Sequence, residues 1–384
     1  MTNNKIAAFG IAALVPFTSL ISHTWLPVSP SLFFFLIAAV CALFMYDPLL
    51  TRTCRIQKSI LNGETQKVLL FPLLFVFYIL FSQYFMGAPF TRAFGVWSGV
   101  FYLIVLILLS QDISVHTWAK KVDWFVKISA LVYTFEAIAR YAVSLYFLYT
   151  GENTYNWIYK FKFFGPMYFE SNGTAIHLII LIFFTFWWAE QRKQKWYGLK
   201  ILFIVLLGLT ISRACMLAAL IGFIYFYFLR GKMGRVWIRN ILLFLTAIVL
   251  VFGIFIYPNI SYDLSFISKF EILEQAINYY KDVEIMPLFF GVGISNSQEY
   301  LGIYAHNYFL VFLMETGIVG LLILLAMFYS FYKYTSASAL CILIPFFFAT
   351  ASSTVTFLPD LYLSVAVMYL YVSQKKSNFT PLNG

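Results

Sequence analysis

The sequence predicts an all-α polytopic membrane protein: a single transmembrane domain over residues 1–384, with about twelve spanning helices and one larger outer loop at 258–305. Three observations predict it. The chain is 62% hydrophobic and only 11% charged, so no water-facing surface could be built from it. Its apolar runs recur at lengths that cross about 30 Å of hydrocarbon. Its cations sit in the short connections: Arg52, Arg55, Lys58 and Lys67; Lys120 and Lys121; Arg192, Lys193, Lys195 and Lys200; Arg230, Lys232, Arg235 and Arg239; Lys375 and Lys376. That is the pattern that holds basic loops on the cytoplasmic side. The net charge of +10 is therefore a matter of topology, and no nucleic-acid partner is expected.

In chain order, the spans are expected near 6–22, 31–46, 68–86, 93–109, 122–149, 172–189, 198–211, 214–229, 240–257, 306–332, 338–351 and 357–372. This threading leaves both termini cytoplasmic. The first run lacks a small-residue cleavage site and is expected to stay as a span. Cys41, Cys54, Cys215 and Cys341 are isolated, mostly within apolar runs, and read as small core residues. His23, His116 and His177 are scattered, and no metal-ligand spacing occurs, so neither a metal nor another cofactor is expected.

Two regions depart from simple spanning. Leu199 to Arg230, "LKILFIVLLGLTISRACMLAALIGFIYFYFLR", would run about 48 Å as one helix, too long for a bilayer. Both of its flanks are basic and belong on the same side. The segment is therefore expected to cross twice, turning near Ile211-Ser212-Arg213, which sets Arg213 recessed from the outer face. The second region is the loop at 258–305, with a helix-like stretch "FEILEQAINYYKDVEIMPLF" and a turn signal "FGVG". It leads directly to "YAHNYF" and the next span, so His306 faces the outer side, the periplasm or the cell exterior.

Each candidate residue carries a plain reading beside a functional one. Arg213 is either an interfacial arginine snorkelling to headgroups or a cation held for an anion. His306, in the first turn of its span, is either a satisfied amphipathic residue or a proton acceptor, because a helix N-terminus disfavours the protonated ring. Asn307 could orient that ring or a sugar hydroxyl. Glu136 and Arg140, four apart in "FEAIARY", read as an intrahelical ion pair, although Arg140 lies toward the outer half, within reach of a phosphate. Glu315 with Gly317 and Gly320 reads as helix-packing architecture, the carboxylate paired to a buried cation. Lys160, Lys162, Glu170 and Asn172 fall in an outer loop, "YKFKFFGPMYFESNGTA", where aromatics and amides suit sugars. Lys269 is either solvated or a phosphate contact.

"ISRACMLAAL", an outer loop ending "PLFFGVGISN", and "AHNYFLVFLMETGIVGLL" together resemble the O-antigen ligase and polymerase superfamily over residues 198–330. "GPMYFESNGTA" is similar to an element that many members carry before a span. The resemblance implies a GT-C-like glycosyltransferase of the bacterial inner membrane, its active site facing the periplasm. Its donor would be an undecaprenyl-diphosphate-linked oligosaccharide. Carried over by position, Arg213 would engage the donor diphosphate and His306 would act on the acceptor hydroxyl. Asn172 and Asn307 fall within the matching elements. Where members often carry arginine, this chain has Lys269, which supplies charge without a bidentate fork, so Arg140 could share its duty.

The acceptor would be a second lipid-linked repeat unit in a polymerase, the preferred reading, or lipid A-core in a ligase. A polymerase would be expected to work with a chain-length regulator protein. A flippase for the same lipid-linked oligosaccharide is the alternative of another class. The scarcity of charge within the spans argues against it, since a translocation cavity would be lined by more.

Overall fold

A computed structural model describes residues 63–110, 115–151, 161–168, 170–230, 264–302, 306–353 and 358–377. Among them regular structure is helical, apart from one isolated antiparallel bridge between Phe163 and Glu170. The spans expected at 6–22, 31–46 and 240–257, and the residues Lys160, Cys41 and Cys54, lie outside the described residues.

The helices are α1 (Gly63–Phe85), α2 (Phe90–Ser110), α3 (Val115–Tyr149), α4 (Ser171–Gln191), α5 (Tyr197–Leu209), α6 (Arg213–Ile224), α7 (Leu264–Lys281), α8 (Ile285–Phe290), α9 (Ser297–Leu301), α10 (Tyr308–Tyr334), α11 (Leu340–Thr350) and α12 (Pro359–Ser377). A π-helical turn, Tyr225–Leu229, extends α6. Five helices (α1 to α4 and α10) are long and apolar enough to cross a membrane, and α5, α6 with its π turn, and α11 are shorter apolar helices. The expected outer-loop helix is present but divided, with Asp282 to Glu284 separating α7 from α8.

α4 is the hub. It is buried around its whole circumference from Ser171 to Ala189, apart from the half-buried Asn172. A helix apolar on all sides belongs inside a bundle. α1 shows the opposite arrangement: Leu70, Leu73, Leu74 and Phe77 form an exposed stripe at helical spacing. In a bilayer such a stripe meets lipid tails without cost.

Leu199–Arg230 folds as the predicted hairpin. The helix breaks at Thr210–Ser212, where Ile211 takes φ 57°. Ser171 Oγ donates to the Thr210 carbonyl at 2.6 Å, so the start of α4 lies at the end of α5. Arg230 reaches Glu190 at 2.6 Å, so the far end of α6 lies at the end of α4. α5 and α6 therefore run in opposite directions against α4. Cys215 and Cys341 are buried free thiols, as small core residues.

Among the described residues, the basic connections gather at one end of the bundle; Arg52, Arg55, Lys58, Lys232, Arg235 and Arg239 lie outside them. Asp123 accepts from Trp188 Nε1 at 2.7 Å and meets Arg192 at 3.4 Å, bringing Lys120 and Lys121 beside the α4–α5 loop. Tyr371 OH donates to the Gln191 carbonyl at 3.5 Å, and Thr65 Oγ1 lies 3.1 Å from Tyr369 OH, which adds Lys67 and Lys375 to the same end.

α10 is broken inside its apolar run. Gly317 has φ 67° and ψ −176°, a conformation open essentially only to glycine. The carbonyls freed by the break find new donors. Val292 N–H donates to Met314 O at 2.9 Å and Gly293 N–H to Glu315 O at 3.0 Å. Tyr78 OH donates to Thr316 O at 2.6 Å, while Ser82 Oγ secures the facing turn by donating to Phe290 O, the end of α8, at 2.7 Å. A Cβ at Gly317 would strike the Phe289 backbone, and one at Gly291 the Glu315 backbone. The "FGVG" turn thus packs main chain on main chain against the break.

Glu315 corrects the expected cation pairing. Its carboxylate accepts from Ser297 Oγ at 2.6 Å and from the backbone N–H groups of Ser295 and Ser297. It holds the start of α9 instead. Gly320 does serve close packing, since a Cβ there would meet the Tyr78 ring of α1 at 2.7 Å as well as Thr316 of its own helix.

Candidate functional site

At the end of the bundle opposite the basic loops, three separate stretches of chain converge. Arg213 is the first residue of α6, its side chain exposed. Lys269 lies in the second turn of α7, within that helix rather than ahead of it, and is half-buried. His306 is half-buried and stands two residues before α10, outside the helix rather than in its first turn. Asn307 is the N-cap: its side-chain oxygen accepts from Leu310 N–H at 3.1 Å. That bond engages Asn307 Oδ1 in starting the helix.

The stretch from Phe161 to Ser171 closes the group as a short hairpin. Ser171 N–H donates to Lys162 O at 2.8 Å, Phe163 and Glu170 form the bridge, and Phe164 turns through φ 67°. The hairpin is tied to the Ser-Arg turn, because Ser212 Oγ donates to Asn172 Oδ1 at 2.9 Å. Asn172 therefore anchors the loop that carries Arg213.

The charges of this group act on one another. Burial holds the Lys162 ammonium below its usual range; Arg213 and Lys269 push the same way, while Glu170 opposes. Burial also keeps the His306 imidazole below its ordinary value of 6.5, with Glu170 opposing and Lys269 and Lys162 adding to the effect. The shift favours the neutral form of His306, the form able to accept a proton. Three cations, one carboxylate and a neutral histidine in one place can hold a polyanion and deprotonate a hydroxyl beside it.

Arg140 stands apart from this group. Its side chain is wholly buried in α3, 3.4 Å from Glu136, and its guanidinium nitrogens make no hydrogen bond among the described residues. The i,i+4 ion pair is what the structure contains. Sequence reasoning missed the polar network next to it. His177 Nδ1 pairs with Asp360 Oδ2, and His177 Nε2 lies 2.7 Å from Tyr168 OH. Tyr133 OH donates to the same Asp360 oxygen at 3.4 Å, and Thr174 Oγ1 donates to Glu136 at 3.4 Å. His177 and Asp360 are 183 residues apart, and each alone looks like an isolated polar residue. The available signal was an aspartate opening an apolar run, which inside a membrane needs a partner.

The fold and site define an integral, helical membrane protein with a cation-rich site at one end of its bundle. A family model described as O-Antigen ligase (Wzy_C) matches residues 198–325, which hold α5 to α9 and most of α10. The matched region, about a third of the chain, is similar to that family and includes Arg213, Lys269 and His306. No curated protein matches the chain significantly.

Proposed function

We propose that the protein is an inverting membrane glycosyltransferase that polymerises a surface polysaccharide on the periplasmic side. Its donor would be an undecaprenyl-diphosphate-linked oligosaccharide and its acceptor a second lipid-linked repeat unit. The observation that carries this reading is the convergence of Arg213, Lys269 and the neutral His306 from three distant stretches of chain.

The chemistry follows from the groups present. The glycan's anomeric carbon carries diphosphate as its leaving group. Arg213 and Lys269 offset the charge that grows on that diphosphate as the glycosidic bond breaks. His306 takes the proton from the attacking sugar hydroxyl, and in-line displacement inverts the anomeric centre. His306→Ala is expected to abolish product while the protein stays in the membrane at wild-type level. Persisting glycan output in that variant would remove His306 as the base.

The family model's description favours a second reading, a ligase that passes the finished chain to lipid A-core. The surface-polysaccharide ladder of a deletion strain separates the two. A core bearing a single repeat unit means polymerase; bare core with long chains stranded on the lipid carrier means ligase. Transfer by purified protein in detergent, where translocation has no meaning, would set aside a flippase.

A further inference from the structure

Lys162 and Glu170 have no place in the mechanism above, yet both sit inside its electrostatic field. Lys162 interacts with Arg213, Lys269 and Glu170, and His306 interacts with Glu170, Lys269 and Lys162. Half-buried lysines cluster with other cations at a cost that folded proteins accept where an anion is to be bound. The hairpin that carries the pair is also rigid for a loop. Its ends are joined by the Ser171 N–H to Lys162 O bond, and the rings of Phe161 and Phe164 lie 5.1 and 4.7 Å from Tyr141 and Phe147 of α3. Tyr168 OH meets His177 in α4, and Ser171 Oγ bonds Thr210 O. Each mooring fixes Lys162 relative to Arg213.

We propose that Lys162 is a third phosphate-binding cation of the donor site and that Glu170 is its resident countercharge, displaced from that role when the donor's diphosphate arrives. In the empty site Glu170 offsets the mutual repulsion of Lys162, Arg213 and Lys269. In the loaded site the diphosphate takes over that task, and Glu170 becomes a repulsive neighbour of the ligand. The inference rests on the donor reading above and adds a prediction of opposite sign for two adjacent residues.

The test is direct binding of undecaprenyl diphosphate, without glycan, to the purified full-length protein in detergent. Lys162→Met is expected to weaken binding at least tenfold, the loss of one charge-assisted phosphate contact. Lys162→Arg should stay within about threefold of wild type. Glu170→Gln should bind more tightly than wild type. Wild-type affinity in Lys162→Met beside loss in Arg213→Met would overturn the inference and leave the donor reading standing. Failure of the wild type itself to bind would overturn the donor reading. Should Lys162→Met not survive extraction, Glu170→Gln decides: tighter binding supports the proposal, and unchanged or weaker binding refutes it.

Discussion

As the proposed base, His306 would have its strength set by its neighbours. Because burial and two lysines keep its imidazole below 6.5, the neutral form persists to lower pH than in a free histidine. The rate of glycan transfer is therefore expected to hold level through neutral pH and to fall only once the pH drops below that value. Glu170 opposes this shift, so Glu170→Gln should move the acid limb further down. A limb at or above 6.5 in the wild type would mean that a different group carries the proton. Among single residues, the placement of Arg213 at a turn and of His306 at the edge of a helix was legible, because a cation at a turn and an imidazole at a span's edge are rare in such a chain. Lys162 was legible only as part of an aromatic outer loop, since the sequence says nothing about what lies across the hairpin.

The break in α10 depends on its backbone more than on the side chains of its own run. Gly317→Ala places a Cβ against Phe289 and forces a glycine-only conformation, a strain of about 1–3 kcal/mol before the clash is counted. Its unfolding temperature in detergent should fall well below that of Gly198→Ala, a position with open space around it. Tyr78→Phe removes the donor to Thr316 O and should cost about 1–3 kcal/mol by the same measurement, since a buried carbonyl loses a partner. The α5–α6 hairpin could be read from length and flanking charge alone. The break in α10 could not. Its apolar run is continuous, and the donors that make the break tolerable come from Tyr78, Val292 and Gly293, outside that run.

For the whole molecule, the buried His177–Asp360 pair joins α4 to α12 inside the bundle. Removing Asp360 leaves His177 Nδ1 buried without its partner, so Asp360→Leu alone should destabilise by about 1–3 kcal/mol. Asp360→Leu combined with His177→Leu should recover much of that loss, read as extraction yield and melting temperature of the single and double variants. If the double variant is worse than the sum of the two, the pair does more than hold the helices. The gathering of basic connections at one end predicts sidedness too. An impermeant maleimide added to intact cells should label Ser295→Cys, and Gln194→Cys only after permeabilisation. The all-helical, membrane-spanning character was legible because lipid selects for long apolar runs. The contacts between runs were not, because every span offers its neighbours much the same surface.

The main-chain bonds between Val292–Gly293 and the α10 break carry one more consequence. Peptide groups look alike whatever side chains they bear, so apart from Gly291, where a Cβ would meet the Glu315 backbone, this mooring reads little of the sequence of the segment it holds. The exposed positions of α7, α8 and α9 are thereby free to diverge while the segment keeps its place over the bundle. Such a segment can be exchanged between chains as a cassette without rebuilding the membrane part beneath it.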